Sequence, residues 1–257
     1  MGLIMLVVAI FWLLMALTAT NARQFAAIGA KTKEDWILDL TGLFVQGLLI
    51  PLLQFTLVLQ LYHFALPALQ DRFAFSAGTI FLLGFVFVDY LYYWNHRLLH
   101  SRWLWNLHKV HHTMTDRDVL GTSRNTVWTS FLIIYLWIHP FFIYCLAEPS
   151  WYILAISFTS ALDLWRHSAI EPTPGSFFYR LLSPWLILPK DHAWHHAAST
   201  TIGNYGANFK LWDKLHGTYY PSRHLPNHLG IQTKLSFVQK LTFPFNCKKL
   251  FQLIKSP

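Results

Sequence analysis

Hydrophobic residues along the chain gather into long apolar stretches, and polar residues fall between them. Five stretches bear on a bilayer that takes about 20 residues per helix. They cover residues 3–20, part of 38–64, 75–94, 127–147 and 151–165, the last being short and interrupted by Asp163. This pattern predicts an all-α fold, an integral membrane helical bundle of about four to five transmembrane helices. No basic segment precedes the first stretch and no small-x-small cleavage site follows it, so it predicts an uncleaved helix and not a signal peptide. Beyond the fifth stretch, Pro172, Pro174, Pro184 and Pro189 cut the chain into short pieces. From there onward the pattern predicts a cytoplasmic, histidine-rich helical cap, its Trp, Phe and Leu residues packed on the membrane interface.

Composition sharpens this. Of 257 residues 54% are hydrophobic and 12% charged, against about 25% charged in a typical soluble domain. Disorder, a coiled coil, a collagen-like fibre and a secreted disulfide scaffold are excluded. Cys145 and Cys247 lie far apart, which gives neither a disulfide framework nor a thiolate metal site. The net charge of +8 acts as a topology signal. With five spans, Arg72 alone among the Lys and Arg residues falls on the far side, so the N-terminus is expected outside and the histidine clusters and C-terminus in the cytoplasm. The membrane would be a bacterial inner membrane or the endoplasmic reticulum. Basic residues flank spans and do not line a separate soluble face, which speaks against nucleic acid as a partner.

Histidine carries the chemistry. Three clusters stand out among 14 histidines: His96 with His100; His108, His111 and His112; and His192, His195 and His196. At this histidine content the HxxHH pattern is expected about 0.04 times by chance, yet it occurs twice. Positions i, i+3 and i+4 share a helical face, so each cluster would aim its imidazoles at a common point. His167, following the fifth stretch, adds a ninth. Neutral imidazole is a ligand for iron, zinc, copper and nickel. Nine rings suit two metal ions, whereas one zinc takes three or four ligands. Nitrogen donors without Cys among them and with few nearby carboxylates disfavour Ca²⁺, Mg²⁺ and iron–sulfur clusters. Iron is preferred because a membrane-face site suits oxidation of lipid C–H bonds; zinc and copper remain open by geometry.

These residues also resemble a family. Asp89-Tyr-Leu-Tyr-Tyr-Trp-Asn-His96-Arg-Leu-Leu-His100, Leu107-His108-Lys-Val-His111-His112 and His192-Ala-Trp-His195-His196 are similar to the motifs of the fatty acid hydroxylase/sterol desaturase superfamily. Asn204-Tyr205-Gly206, Trp212-Asp213 and Gly217-Thr218-Tyr219 resemble its NYG…WD…FGTY tail. The likeness spans about residues 80–220. It implies a cytosol-facing non-haem di-iron centre that uses O₂ and external electrons to hydroxylate or desaturate a lipid such as a fatty acyl chain or sterol. With the apolar stretches, it divides the chain into an expected transmembrane hairpin over 1–74, a fatty acid hydroxylase-like di-iron catalytic domain over 75–220 and a cytoplasmic tail over 221–257. His216 stands where the family usually has Phe, Ala169 where it has Asn, and Thr126 where many sterol-acting members have His. These departures leave the substrate subgroup unassigned. With no flavin, nicotinamide or haem-attachment motif in the chain, electrons would come from cytochrome b5 or a ferredoxin-type donor with its reductase. The alternatives are a membrane metal-dependent hydrolase, for which no HExxH supplies a general base, and a non-catalytic metal transporter or sensor.

No catalytic residue is expected beyond the metal ligands. Asp89, Asp163, Asp191 and Asn204 are candidates to steady ligating imidazoles through their second nitrogens. Glu171, four residues after His167, is a candidate oxygen ligand. Trp212 and Asp213 are expected to fix the packing of the cap. His139, beside Pro140 inside an apolar stretch, is expected to be a structural histidine facing a cavity. His63, His224 and His228 are expected at the surface, with His216 intermediate.

Overall fold

A computed structural model describes residues 2–198, 203–222 and 224–242. Cys247 and the end of the expected tail, 243–257, lie outside the described residues. Among the described residues there are only helices, turns and three isolated β-bridges. Helix α1, Gly2–Ala19, is followed after a bend of 106° by α2, Ala22–Gly29. Asn21 makes that corner stable by accepting from the Arg23 and Gln24 backbone N–H groups, which the new helix would otherwise leave unpaired.

Helix α3, Lys33–Ala65, is 33 residues long, about 50 Å at 1.5 Å per residue and so longer than a hydrocarbon core of about 30 Å. Thr32 and Asp35 start it with a reciprocal capping box. Two π turns, Val45–Leu49 and Gln54–Val58, widen it around Pro51. One face buries Leu38, Val45, Ile50 and Val58, while Leu40, Phe44, Leu48, Leu52 and Phe55 form an exposed stripe. An apolar stripe of this length belongs against lipid. Helix α4, Ala77–Leu99, is the second helix long and apolar enough to cross a membrane, and the bent α1–α2 pair is a third candidate.

The apolar stretch 127–147 is not a single span. It holds one turn of helix, Thr129–Leu132, a break, and then α5, Tyr135–Cys145. Asn95 of α4 brackets the break: its Nδ2 donates to the Leu132 carbonyl at 3.0 Å and its Oδ1 accepts from Ile134 N–H at 3.1 Å. Backbone groups released by the break are thereby paired inside the protein. With 11 residues, α5 is about 16 Å long, too short to cross alone. Helix α6, Ser150–His167, is continuous.

The backbone near Asp71 and Phe73 pairs with Tyr144, Cys145 and Ala147, so the α3–α4 and α5–α6 connections lie together at one end of the bundle. His96 and His167, at the C-terminal ends of α4 and α6, lie at the other. Gly84 lets α4 approach α6, since a Cβ there would sit 2.9 Å from the Ala155 Cβ. Leu14 and Leu164 join α1 to α6 through a buried cluster with Val119. Helix α7, Pro189–His195, begins where Asp191 Oδ2 accepts from Leu188 N–H at 3.1 Å.

Gly42 touches the loop that closes the histidine end: an added Cβ would lie 2.0 Å from the Ser123 carbonyl oxygen. Gly42→Ala should therefore push that loop off α3 and destabilise the protein by about 1–3 kcal/mol. A thermal midpoint unchanged from wild type would contradict this packing.

Candidate metal centre

All nine histidines singled out in the sequence, eight by spacing and His167 by its place after the fifth stretch, converge in two largely buried groups. His96, His100, His108, His112 and His195 form one, and His111, His167, His192 and His196 the other; within each, the candidate ligand nitrogens lie within 4.8 Å of one another. The second cluster is not one helical face. His108 ends a short helix, Trp105–His108, and His111 and His112 begin a 3₁₀ turn, His111–Thr113. This break splits the cluster, sending His111 to one group and His108 and His112 to the other. The third cluster divides likewise, with His195 facing the five-histidine group. The rings of His112 and His196 stack at 4.5 Å between centroids, so the two groups share a wall.

Tautomers follow from the backbone. A carbonyl only accepts, so an imidazole nitrogen bonded to one must carry the proton. Nδ1 donates to the Tyr205 carbonyl from His96 (2.8 Å), to Arg124 from His111 (3.1 Å), to Asp163 from His167 (2.8 Å) and to Gly203 from His195 (2.8 Å). The Nε2 of each then bears a lone pair. His111 and His167 turn these lone pairs at each other across 3.3 Å, an arrangement in which neither can donate. His192 Nε2 lies 2.9 Å from His167 Nε2 and 3.1 Å from His196 Nε2. In the five-histidine group the Nε2 atoms of His96 and His108 are 3.1 Å apart, and those of His100 and His195 3.2 Å. A cation bound at about 2.0–2.1 Å spaces neighbouring nitrogen ligands by about 2.9–3.4 Å. The donor set, its tautomers and its spacing therefore all fit a borderline transition metal.

Burial favours the uncharged ring at seven of these donors. It is the largest influence lowering His100, His108, His111, His112, His192 and His196 well below the usual imidazole range, with neighbouring histidines adding to it. Burial likewise brings His195 down to about 4.

The acids and Asn204 sit as follows. Asp163 Oδ1 lies 3.2 Å from His167 Nδ1 and 2.5 Å from Arg166 Nη2, beside a ring its own carbonyl also holds. Asp89 touches no imidazole; it accepts from Asn208 N–H (2.8 Å), Phe209 N–H (3.2 Å) and Trp212 Nε1 (2.7 Å). Asp191 caps α7 and pairs with Lys210 Nζ at 2.8 Å. Asn204 donates from Nδ2 to the Asp191 carbonyl at 2.9 Å and accepts from Tyr220 N–H at 2.9 Å. These three residues hold the backbone around the rings instead of the rings themselves. Glu171 pairs with Arg117 at 3.5 Å and lies outside both groups.

The supports that spacing could not indicate are backbone carbonyls and the side chains that fix them. Asp213 accepts from Tyr205 N–H and Gly206 N–H, each at 2.8 Å, and from Thr218 Oγ1 at 2.7 Å. That carboxylate sets the carbonyl that holds His96. Gly203, which offers its carbonyl to His195, has φ 132° and lies so close to Thr218 that a Cβ would meet its carbonyl at 1.9 Å. The Arg124 carbonyl is anchored through its own side chain, which pairs with Asp39 (2.5 Å) and Asp35 (2.9 Å) of α3. Lys31 joins Asp39 to Asp118 in the same buried network. Lys31 and Arg124, counted as topology charges in the sequence, are thus internal ion-pair partners.

The remaining histidines lie apart from both groups. His139 Nδ1 is 3.0 Å from the Tyr152 hydroxyl. His216 stacks on Tyr93 at 5.1 Å, and His63 meets Tyr144 edge-on at 4.8 Å. The His224 and His228 side chains are exposed. Cys145 is a buried free thiol.

Comparison with known proteins agrees with this geometry. Residues 81–218 match the family model described as fatty acid hydroxylase. The chain is 31% identical over 180 residues to the ornithine lipid hydroxylase OlsE of Rhizobium tropici, covering 67% of this chain and 52% of that protein. It is 26% identical over 176 residues to the alkylglycerol monooxygenase of Xenopus tropicalis, covering 66% and 35%. It is 30% identical over 166 residues to methylsterol monooxygenase 2-2 of Arabidopsis thaliana, covering 60% and 56%. The chain thus spans about half the length, or less, of these curated relatives. No solved structure matches it.

Two outcomes follow from the site. Because burial holds these imidazoles below the unfolded value of about 6.5, an unfolded chain binds protons before the folded one as pH falls. The metal-free protein should keep its full stability above pH ~6.5 and lose it progressively toward about 4, the value of His195; a thermal midpoint flat across that window would contradict burial as the cause. Arg124→Met leaves Asp39 buried beside Lys31 alone and should cost about 3–5 kcal/mol, read by denaturant unfolding.

Proposed function

The chain belongs to the fatty acid hydroxylase family, and from that premise we propose that it is a membrane-bound, O₂-dependent monooxygenase. In this reading its nine clustered histidines hold two iron ions, and it hydroxylates, or desaturates, a membrane lipid. The observation that carries it is the pair of enclosed all-imidazole groups, one containing two lone pairs 3.3 Å apart that only a cation reconciles. Three relatives named for oxidation of an ornithine lipid, an alkylglycerol and a methylsterol support a lipid as the substrate class.

Iron bound there would supply O₂ activation and the one-electron steps that break a C–H bond. The chain supplies the rest. Carbonyls of Arg124, Asp163, Gly203 and Tyr205 lock four rings with Nε2 inward, so the donors need no reorganisation to bind metal. The rings of His111, His167, His192 and His196 are buried, which keeps bulk water from their donors, and beside three of them a small, partly open recess of about 10 Å³ has room for about one water-sized molecule. A reacting carbon would have to approach such a site in a restricted orientation. A lipid reaches such a site from the bilayer that the apolar faces of α3 and α4 occupy.

The distribution of basic residues supports a cytoplasmic histidine end. Electrons would come from a cytochrome b5 or ferredoxin-type carrier with its reductase. Trp105, half-buried, contacts the rings of both His100 and His112 at 5.1 Å and gives a carrier a short path to the five-histidine group.

The test combines metal analysis with comparative lipid mass spectrometry of cells with and without the gene. Two irons per chain and an O₂-dependent lipid product are expected; metal flux into vesicles without turnover would overturn the reading. His111→Ala and His195→Ala, one from each group, should each lose metal and activity while still inserting in membranes. His228→Ala should be nearly neutral. Normal turnover by either ligand variant at full metal loading would remove these histidines from the centre.

A further inference from the structure

His139 belongs to neither group, yet it lies inside the bundle in a run of rings that starts at one of them. His96 meets Tyr92, one turn earlier on α4, at 5.4 Å between ring centroids. Tyr92 stacks on Tyr135 at 4.9 Å and 10°. Tyr135 stacks on His139, one turn along α5, at 4.7 Å and 11°. His139 meets Tyr152 of α6 at 5.9 Å, with Nδ1 3.0 Å from the phenol oxygen. Tyr152 is fully buried, whereas the Tyr135 hydroxyl is buried with no hydrogen-bond partner among the described residues. Phenylalanine would pack at position 135 without that unpaired hydroxyl, and polar groups retained at such cost within a membrane bundle mark function.

We propose that Tyr92, Tyr135, His139 and Tyr152 form an internal drain that carries stray oxidising equivalents away from the metal ligands. The proposal rests on the oxygenase reading above. The oxidant would be iron held by the clustered histidines, in the state that O₂ would leave it when no substrate C–H bond is in reach. One electron leaves Tyr152 for that oxidant and passes through the stacked rings of His139, Tyr135 and Tyr92. The Tyr152 O–H bond breaks as the electron departs, and the proton bonds to His139 Nδ1. A neutral tyrosyl radical remains beside an imidazolium. One electron from the external carrier later restores the phenol, and the proton returns from Nδ1 to oxygen. Among the described residues, Tyr92 and Tyr135 have no base hydrogen-bonded to the hydroxyl, so they pass the oxidising equivalent on and Tyr152 retains it.

The experiment uses the full chain in detergent, iron-loaded and reduced with dithionite, then mixed with O₂ without lipid substrate and freeze-quenched for electron paramagnetic resonance. Wild type should give a tyrosyl radical whose hyperfine pattern changes on incorporation of deuterated tyrosine. Tyr152→Phe should lose that signal, and oxidised residues in the ligand-bearing peptides should rise several-fold per O₂ consumed. Tyr135→Phe should slow radical formation several-fold, and it carries the comparison should Tyr152→Phe fail to load metal. No tyrosyl signal in wild type, or unchanged signal and ligand oxidation in the variants, overturns the drain. No O₂ uptake at all overturns the oxygenase reading itself, an outcome seen at the oxygen electrode before any spectrum is taken.

Discussion

Nitrogen lone pairs crowded into a space closed to bulk water are the constraint on which the rest of the structure depends. Imidazoles crowded together in water would either protonate or exchange hydrogen bonds. Here burial opposes the first, and the carbonyls of Arg124, Asp163, Gly203 and Tyr205 prevent the second by claiming the Nδ1 protons. Four rings are thereby committed to presenting Nε2 inward, where a positive charge would stabilise them. This explains why so much of the chain beyond the helices is occupied with placing carbonyls. Asp213 gathers the 205–206 amides and Thr218, and Asp39 and Asp35 of α3 grip Arg124.

That last connection links regions far apart in the chain. Residues 81–218 carry the family match, yet the carbonyl behind His111 is anchored by α3, well before that region begins. Ion pairs at the buried start of a membrane helix are expensive to form, and losing one partner strands a charge. Their use here points to precision in the placement of His111 more than to gain in stability. The bundle in turn sets which end carries the chemistry: α4 and α6 run together, Gly84 bringing them close, and each delivers a histidine at its C-terminal end.

Much of this was legible as pattern. The apolar stretches foretold α1, α3, α4 and α6, because burial against lipid or neighbouring helices needs length and hydrophobicity that show directly in one dimension. The improbability of two HxxHH patterns singled out eight rings, and position after a span added His167. Stretch 127–147 misled, since hydropathy does not see that Asn95 pairs the groups exposed by a break at residues 132–134. Asp89 misled too: its spacing from His96 on one helix says nothing of the 208–212 backbone that folds onto it.

The amino-acid sequence by itself determined the helical, apolar character of this protein, the nine candidate imidazole donors and the likeness to a lipid-oxidising family, because each follows from residue type, near-neighbour spacing and position after an apolar stretch. Only the tertiary structure decided how nine rings divide into five and four, which nitrogen each of four turns inward, and that Asp213 and Arg124 act through carbonyls. Apart from the His167–Asp163 contact within one helical turn, the carbonyl contacts join positions 8 to more than 100 residues apart, which carry no periodicity and leave no motif. A carbonyl oxygen is present at every position, so nothing in the string of side chains marks the four that matter here.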